Sequence, residues 1–513
     1  MVEVTVKRAL ELAAASAGEN PALHCRKSTI TYSDLDAAAT RLANHLATAG
    51  IEPGDRVAIL LSNCPEYVIA AVACAKARLT MLPVNYRFTA PEIASLFADA
   101  EPRVVIYDAQ FRRVITEGAA DQPNLHRLVF DGEPSAEETA LRQILTSGDP
   151  QAIRSDAKTS DIFYLGYTSG TTGRAKGAIV TQGNRALAYH YWALEFGLTR
   201  DDHGLHCGPF HHTAPFTFTL TQLFMRGQMS ILPAFSAGEA LQTIARNKVT
   251  WAFMVPFMLE RLLELGPDEI AAHDLSSLRM VVSGASSLST RTKERFLDVF
   301  KGVQLHEFYG ATEAGVIANL QPRDQRRKVR CVGRPVFDTE IVIRKPDGTP
   351  ALAGETGDIW LRGPTLFSGY FRAPEKTAEV FDGDWCTLGD VGRMDEEGYL
   401  YIVDRSKDVI KSGGVNIYPV EIEEILLAHP SVADVAVVGI PHETWGEAVH
   451  AVIVPQASFP VASDILLSHC RERLAGYKLP KSFEYRLELP RNANGKVLKR
   501  VLRTEAPVHV STQ

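Results

Sequence analysis

YTSGTTGRAKG, residues 167–177, is the stretch on which the reading of this 513-residue chain turns. Ile162, Phe163, Tyr164 and Leu165 run before it and Ala178, Ile179 and Val180 after it, the pattern of a loop joining two strands of a buried sheet. Its three glycines allow backbone angles closed to other residues and let the chain wrap closely around a ligand. The hydroxyls of Thr168, Ser169, Thr171 and Thr172 and the cations Arg174 and Lys176 make it rich in donors for anionic oxygen, so a polyphosphate is its natural guest. It is not a Walker A loop, because the spacing G-x-x-x-x-G-K-[ST] is absent and no helix pattern starts at the lysine. The same composition, met in isolation, also describes a solvated Gly/Ser/Thr surface loop.

A chain this long exceeds one ordinary hydrophobic core, so two to four domains are expected. Hydrophobic residues at 45% and charged residues at 22% are ordinary for a soluble globular protein. The net charge of -7, without long runs of one sign, argues against nucleic acid as a main partner. Seven scattered cysteines without a C-x-x-C pair fit reduced thiols and a cytoplasmic location. Glu3, Glu11 and Glu19 break any signal-like apolar core behind Lys7 and Arg8, so an amphipathic first helix is expected. No apolar run approaches the roughly 20 residues of a membrane span, so no integral membrane segment is expected.

From residue 30 to 107 helix and strand signals alternate. Ser33 is the expected cap of a helix with Leu35, Ala39, Leu42 and Leu46 on one face, ending at Gly50. A strand over 57–61, a helix from Pro65 through Val68, Ile69 and Val72, a strand over 81–84, a helix over 91–98 and a strand over 104–107 complete repeated βαβ units. Residues 108–160, richer in Gly, Pro and charge, read as a connecting region. Strand signals continue through 251–256 and 278–283, and residues 333–363 shift to short strands and turns. The last hundred residues read as a compact α+β unit, with helices over 421–428 and 465–474 and strands over 433–438, 449–454 and 483–487. The fold class is therefore α/β: a large N-terminal domain of layered α/β subdomains with a small β-rich subdomain, then a small α+β C-terminal domain.

Further strings carry chemistry in the same order along the chain. They are CGPFHHTAPF at 207–216, VVSGASSLS at 281–289, EFYGATEAG at 307–315, WCTLGD at 385–390, YIVDRSKD at 401–408, KSGG at 411–414 and PRNANGKVLKR at 490–500. Each has a bland reading: paired histidines in an apolar setting are often structural, an Asp/Arg pair on a surface means little, and a lone C-terminal lysine is usually solvated. Together with the opening loop, however, they resemble the signatures of the adenylate-forming superfamily, specifically its acyl-CoA synthetase and aryl- or fatty-acid-CoA ligase branch. The resemblance spans roughly residues 20–505. Departures are Ala175 and Ser287 for usual prolines, His211 for a usual aromatic residue, Phe308 for a usual glycine and Leu388 for a usual threonine.

The resemblance implies ATP and AMP contacts from Thr168, Ser169, Gly170, Thr171, Thr172, Gly173 and Lys176. It implies an adenine side made by Gly284, Ala285 and Ser286, with Tyr309 stacked on the ring beside Gly310. Thr312 is implied at the adenylate phosphate, Glu313 and Thr172 at Mg2+, and Asp390 and Arg405 on the ribose hydroxyls. His212 is implied near the acid's carboxylate, with Phe216, Phe218 and Phe257 as acyl-pocket walls. Lys407 is implied as the hinge of a mobile C-terminal domain, dividing the chain into 1–406 and 407–513. Lys411 is implied at phosphate, Ser412, Gly413 and Gly414 at CoA, and Lys496 as the lysine that reaches the site during adenylation.

The activity implied is an ATP-dependent acid:CoA ligase. A carboxylate attacks the α-phosphorus of MgATP to give acyl-adenylate and pyrophosphate, and a thiol then attacks the mixed anhydride and expels AMP. Catalytic roles fall to Lys496, His212, Glu313 and Thr172, with Mg2+ as cofactor and ATP and CoA as co-substrates. Aromatic walls point to a hydrophobic aryl, alicyclic or medium-to-long-chain monocarboxylate, since no positively charged side chain obviously marks a dicarboxylate. The alternative is a stand-alone adenylation enzyme that loads a carrier-protein phosphopantetheine. A homodimer is compatible with the sequence.

Overall fold

The structure, a computed structural model, describes residues 3–151, 156–168, 176–413, 415–456, 462–491 and 497–506, with Thr168 described by its backbone alone. The chain forms two compact units, one of Met1–Glu340 with Arg362–Cys386 and one of Ile341–Leu361 with Thr387–Gln513.

The first unit is built on two sheets. In the seven-stranded sheet the order is Glu138–Ala140, His126–Phe130, Val104–Asp108, Arg56–Leu60, Thr80–Pro83, Ile162–Thr168 and Lys176–Thr181. Its strands pair in parallel except for the last two, which form an antiparallel hairpin around the opening loop. The crossover helix Pro65–Ala77 is buried on nearly every side, whereas Tyr32–Thr48 buries one apolar stripe. On Tyr32–Thr48 the expected face of Leu35, Ala39, Leu42 and Leu46 is at most 3% exposed, and each leucine so buried contributes about 1.5–3 kcal/mol.

Two expectations are corrected. The cap of that helix is Thr31, not Ser33: Thr31 is extended, its hydroxyl accepts from the Asp34 amide at 3.1 Å, and the Asp34 carboxylate returns the bond in a capping box. Residues 108–160 are also more than a connection. They supply the helices Arg112–Gly118 and Leu141–Ser147 and two outer strands of the sheet. Their apolar runs are short, and the charge that disguised them is used internally, as when Arg112 holds Glu138 at 2.8 Å.

The nine-stranded sheet runs Arg334–Pro335, Gly315–Leu320, Gln304–Ala311, Met280–Ser283, Trp251–Phe253, His203–His206, Gln228–Ile231, Pro21–Cys25 and Ser28–Thr31. The helix Thr213–Phe224 packs on its central strands and is buried along nearly its whole length from Pro215.

In the second unit, the strand ending at Met394 pairs antiparallel with Leu400–Arg405, placing Asp390 opposite Arg405. A separate five-stranded sheet has Val415–Ile417, Ile410–Ser412, Gly446–Pro455 and Val432–His442 in order, with Ser482–Tyr485 parallel to Gly446–Pro455. The helices Pro419–Leu427 and Ser463–Arg471 close a core of Ile417, Ile422, Leu426, Val437 and Leu466. Compactness groups residues 341–361 and 387–406 with these C-terminal elements. No described helix is long and apolar enough to cross a membrane.

Candidate active site

The hairpin Ile162–Thr168 with Lys176–Thr181 sets Tyr167 opposite Gly177 and Thr168 opposite Lys176, so the loop between them springs from a fixed base. Ser169, Gly170, Thr171, Thr172 and Gly173 lie outside the described residues, as does the side chain of Thr168. At the base, the Lys176 ammonium sits 5.0 Å from the centre of the Tyr370 ring. Backbone bonds hold residues 369–371 here: Ile179 N–H donates to Gly369 C=O at 3.0 Å and Phe371 N–H to Gly177 C=O at 2.8 Å.

Tyr370 connects the loop to the next string, donating its phenol proton to Glu313 Oε1 at 3.2 Å. Burial, reinforced by the Glu313 charge, raises the phenol's pKa, so it stays a donor. Glu313 is 8% exposed, and among the described residues no three His, Cys, Asp or Glu gather into a metal cluster. A buried carboxylate of this kind suits Mg2+, which takes one or two carboxylates and leaves its other positions to water and substrate phosphate.

Beside it, three hydroxyls form a chain. Tyr164 OH lies 2.9 Å from Thr213 Oγ1, and Thr213 Oγ1 lies 3.0 Å from Thr312 Oγ1. Tyr164 is buried, and desolvation raises its pKa. If the phenol donates to Thr213 and Thr213 to Thr312, the Thr312 proton is left to point away from the protein at an anionic oxygen.

His212 is the N-cap residue of Thr213–Phe224, so the turn that places Thr213 also places this imidazole. Desolvation, with Arg87 nearby, lowers its pKa to about 4, and His211, with His212 and Arg87 adding to desolvation, falls to about 2. Both rings are therefore neutral at pH 7. His211 turns edge-on to Tyr86 at 4.8 Å and leaves Nδ1 buried without a partner.

On the adenine side, Tyr309 is half-buried at the end of Gln304–Ala311, Gly310 follows at a register shift, and Ser286 is exposed. Ala285 holds a positive φ of 69°, uncommon for a residue with a side chain. Gly284 is needed for space: a Cβ there would come within 2.5–2.8 Å of three atoms of the Phe308 ring. Phe308, 7% exposed, stands 5.6 Å from Phe218 and 6.0 Å from Phe253.

The three phenylalanines expected to line an acyl pocket are not all brought together. Phe216 and Phe218 are buried, Phe216 against Tyr67 and Tyr164 and Phe218 against Phe253 and Phe308. Phe257 is 54% exposed, and its ring lies beneath Arg261.

In the second unit, Arg405 Nε is 3.2 Å from Asp390 Oδ1, a donor and acceptor fork on adjacent strands. Lys407 is exposed, and its ammonium pKa is lowered by desolvation and by Arg405, Arg503 and Lys499, against the pull of Asp408. The Lys411 amide donates to Glu447 at 2.6 Å, and its side chain is exposed. Ser412 ends its strand opposite Gly446. Gly413, at φ 57°, donates to the Trp445 carbonyl at 2.8 Å, a left-handed turn that favours glycine. Gly414 and Lys496 lie outside the described residues.

Tyr164, Thr213 and Tyr370 are site residues that sequence reading passed over. Their signal is tertiary: none belongs to a quoted contact position, and each matters through the side chain it touches. A cleft of about 790 Å³ lined by Thr159, Ile179, Asn184, Leu187 and Pro364 holds none of these residues.

Residues 10–371 match the AMP-binding enzyme family and residues 421–496 match the AMP-binding enzyme C-terminal domain. A feruloyl-CoA synthase of Amycolatopsis sp. is 37% identical over 481 residues, covering 92% of this chain and 93% of that protein. The long-chain-fatty-acid–CoA ligase FadD13 of Mycobacterium tuberculosis is 34% identical, covering 93% of each. Among solved structures, the o-succinylbenzoate CoA synthetase of Bacillus subtilis in complex with its acyl-adenylate intermediate is similar at a TM-score of 0.87 and 30% identity, covering 96% of this chain and 97% of that one.

Proposed function

The chain belongs to the AMP-binding enzyme family of the adenylate-forming superfamily, and from that premise we propose how its residues divide the work of an acid:CoA ligase. It is an AMP-forming acyl-CoA synthetase, and the adjacent pair Thr312 and Glu313 is the observation that carries the assignment of its centre. One is linked through Thr213 to the buried Tyr164 and the other to the half-buried Tyr370, so a proton donor and a carboxylate are held side by side by two phenols.

A carboxylate is a poor electrophile, and its attack on the α-phosphorus brings two anions together. Thr312 donates to the phosphate oxygen that gains charge, and Lys176 adds a cation at the base of the loop. Neutral His212 donates a ring N–H to the acid's carboxylate without adding charge to it. Glu313, with Thr172, would hold Mg2+, which when bound with ATP screens the phosphate charge. Asp390 and Arg405 take the ribose hydroxyls as acceptor and donor, while Gly284, Ala285 and Ser286 let adenine lie against backbone beside Tyr309.

Lys496 and Gly413 belong to one C-terminal domain and serve different half-reactions, so rotation at Lys407, with domains 1–406 and 407–513, would present them in turn. Lys496→Ala is expected to suppress adenylate formation and to spare thioester formation from supplied acyl-adenylate. Equal loss of both half-reactions would count against the division.

The acid has an apolar aryl, alicyclic or medium-to-long-chain body, supported by the aromatic side chains on the core side of His212. The test is AMP and pyrophosphate release with MgATP across aryl, alicyclic and aliphatic acids, each with and without CoA. Turnover that needs both acid and CoA supports the ligase. Pyrophosphate release with thioester formed only on a carrier protein would replace it with a carrier-loading enzyme.

A further inference from the structure

One buried charge near this centre has no counterpart among the described residues. The helix Gln182–Glu195 follows Lys176–Thr181 directly and buries Arg185 to 3% exposure. Its Cζ lies 5.7 Å from the ring centres of both Tyr164 and Trp192. Among the described residues the guanidinium has no hydrogen bond or ion pair. Two ring faces attract it by about 2 kcal/mol when desolvated, yet they satisfy none of its N–H donors in the plane of the fork. An unpaired buried cation costs several kcal/mol. Arg41, Arg127 and Arg226 each have an Nε sealed from solvent without a partner, and no nitrogen of Arg185 is shut off in that way.

Position gives the charge its meaning. Tyr164, against whose ring Arg185 lies, ends in the hydroxyl that starts the chain to Thr213 and Thr312. Trp192, the other ring, stands 6.3 Å from Phe218. The cation is thus one tyrosine away from the group assigned to the adenylate phosphate, among the rings that would receive the acid's body.

We propose that Arg185 receives a second carboxylate on the acid, so that the substrate class is a dicarboxylate with an apolar spacer, activated at one end and paired with the guanidinium at the other. A planar carboxylate matches the guanidinium fork with two parallel hydrogen bonds, which a monocarboxylate tail would leave unmade. The proposal rests on the ligase reading and revises its monocarboxylate expectation.

The test uses the full chain as wild type, Arg185→Leu and Arg185→Lys, on dicarboxylates of roughly four to ten carbons against monocarboxylates of equal length, and on benzenedicarboxylates against benzoate. The wild type is expected to favour its best diacid over the matched monoacid by about tenfold or more in kcat/KM, the scale of one specific contact. Arg185→Leu is expected to level that ratio with KM for ATP unchanged and thermal stability kept or raised, and Arg185→Lys to restore it in part. A wild-type preference for monoacids, or a ratio untouched by Arg185→Leu, overturns the proposal. So does a raised KM for ATP with an unaltered acid ratio, which would give the guanidinium to a phosphate. Calorimetric binding of the diacids to wild type and Arg185→Leu, with a nonhydrolysable ATP analogue present, makes the same comparison without turnover. Absence of AMP release from every acid breaks the ligase reading, whereas equal diacid binding by the two proteins breaks the role of Arg185.

Discussion

Lys76 and Arg185 are buried to nearly the same degree, 4% and 3% exposed, and the fold treats them in opposite ways. The Lys76 ammonium lies 2.7 Å from Asp36 and 3.7 Å from Glu11 and donates to Thr40 at 2.9 Å, so it ties the helices Val6–Ala17, Tyr32–Thr48 and Pro65–Ala77 together. Arg185 has ring faces and, among the described residues, no acceptor. A buried cation whose partners belong to the chain holds the fold together. One left without an acceptor among the described residues is, on the proposal above, placed for a ligand's carboxylate.

The strongest way to press this contrast is acid. The buried His203 and His306 and the half-buried His212, with pKa values lowered to about 4, and the buried His206, lowered to about 3, are neutral rings, chiefly by desolvation. In the unfolded chain an imidazole titrates near 6.5. The unfolded state therefore binds more protons between about pH 6.5 and 4, and stability rises with pH across that window. Full stability is expected above pH 6.5, with a steep fall in the denaturant midpoint on going down towards pH 4. A flat profile there would mean that these rings find counter-charges on protonation.

Next in size is Lys76→Met. Removing one member of a buried pair costs about 3–5 kcal/mol, discounted here because Asp36 and Glu11 are about one-third exposed, so about 2–3 kcal/mol is expected. Urea unfolding measures it, and the acid preference should not move. That is the reverse of the expectation for Arg185→Leu.

Gly284→Ala comes third. A methyl against the Phe308 ring overpacks the core by about 1–3 kcal/mol, and the double variant with Phe308→Leu should recover most of the loss in the same unfolding assay. Failure of the second change to rescue the first would remove Phe308 as the reason for this glycine. The smallest effect is expected for Thr213→Val, about 1 kcal/mol of stability for its two hydroxyl contacts. Its kcat for adenylation should nevertheless fall by about tenfold, since Thr312 loses the neighbour that orients its proton.

Much of the site was legible because its strings are local. The strands on either side of the glycine loop pair as a hairpin, Asp390 faces Arg405, and Gly413 makes its left-handed turn, each within or next to the quoted motif. The helix face of Leu35, Ala39, Leu42 and Leu46 was equally plain from its period. Thr31 was passed over because Thr31 and Ser33 are both capping types, and only backbone angles choose between them. Residues 108–160 were underread because charged residues that pair with each other, such as Arg112 and Glu138, look like solvated loop until they meet.

By itself, then, the sequence determined the α/β class and the family, because each depends on residue type and short spacing. Tertiary structure alone decided that Tyr370 reaches Glu313 across 57 positions, that Tyr164, Thr213 and Thr312 join hands across a strand, a helix and a turn, and that Phe257 stands apart from Phe216 and Phe218. It also decided that Arg185, one of 54 Lys and Arg residues in the sequence, is buried without an acceptor among the described residues. Charge can be counted along a chain, but whether a charge is answered depends on what folding brings within about 4 Å of it.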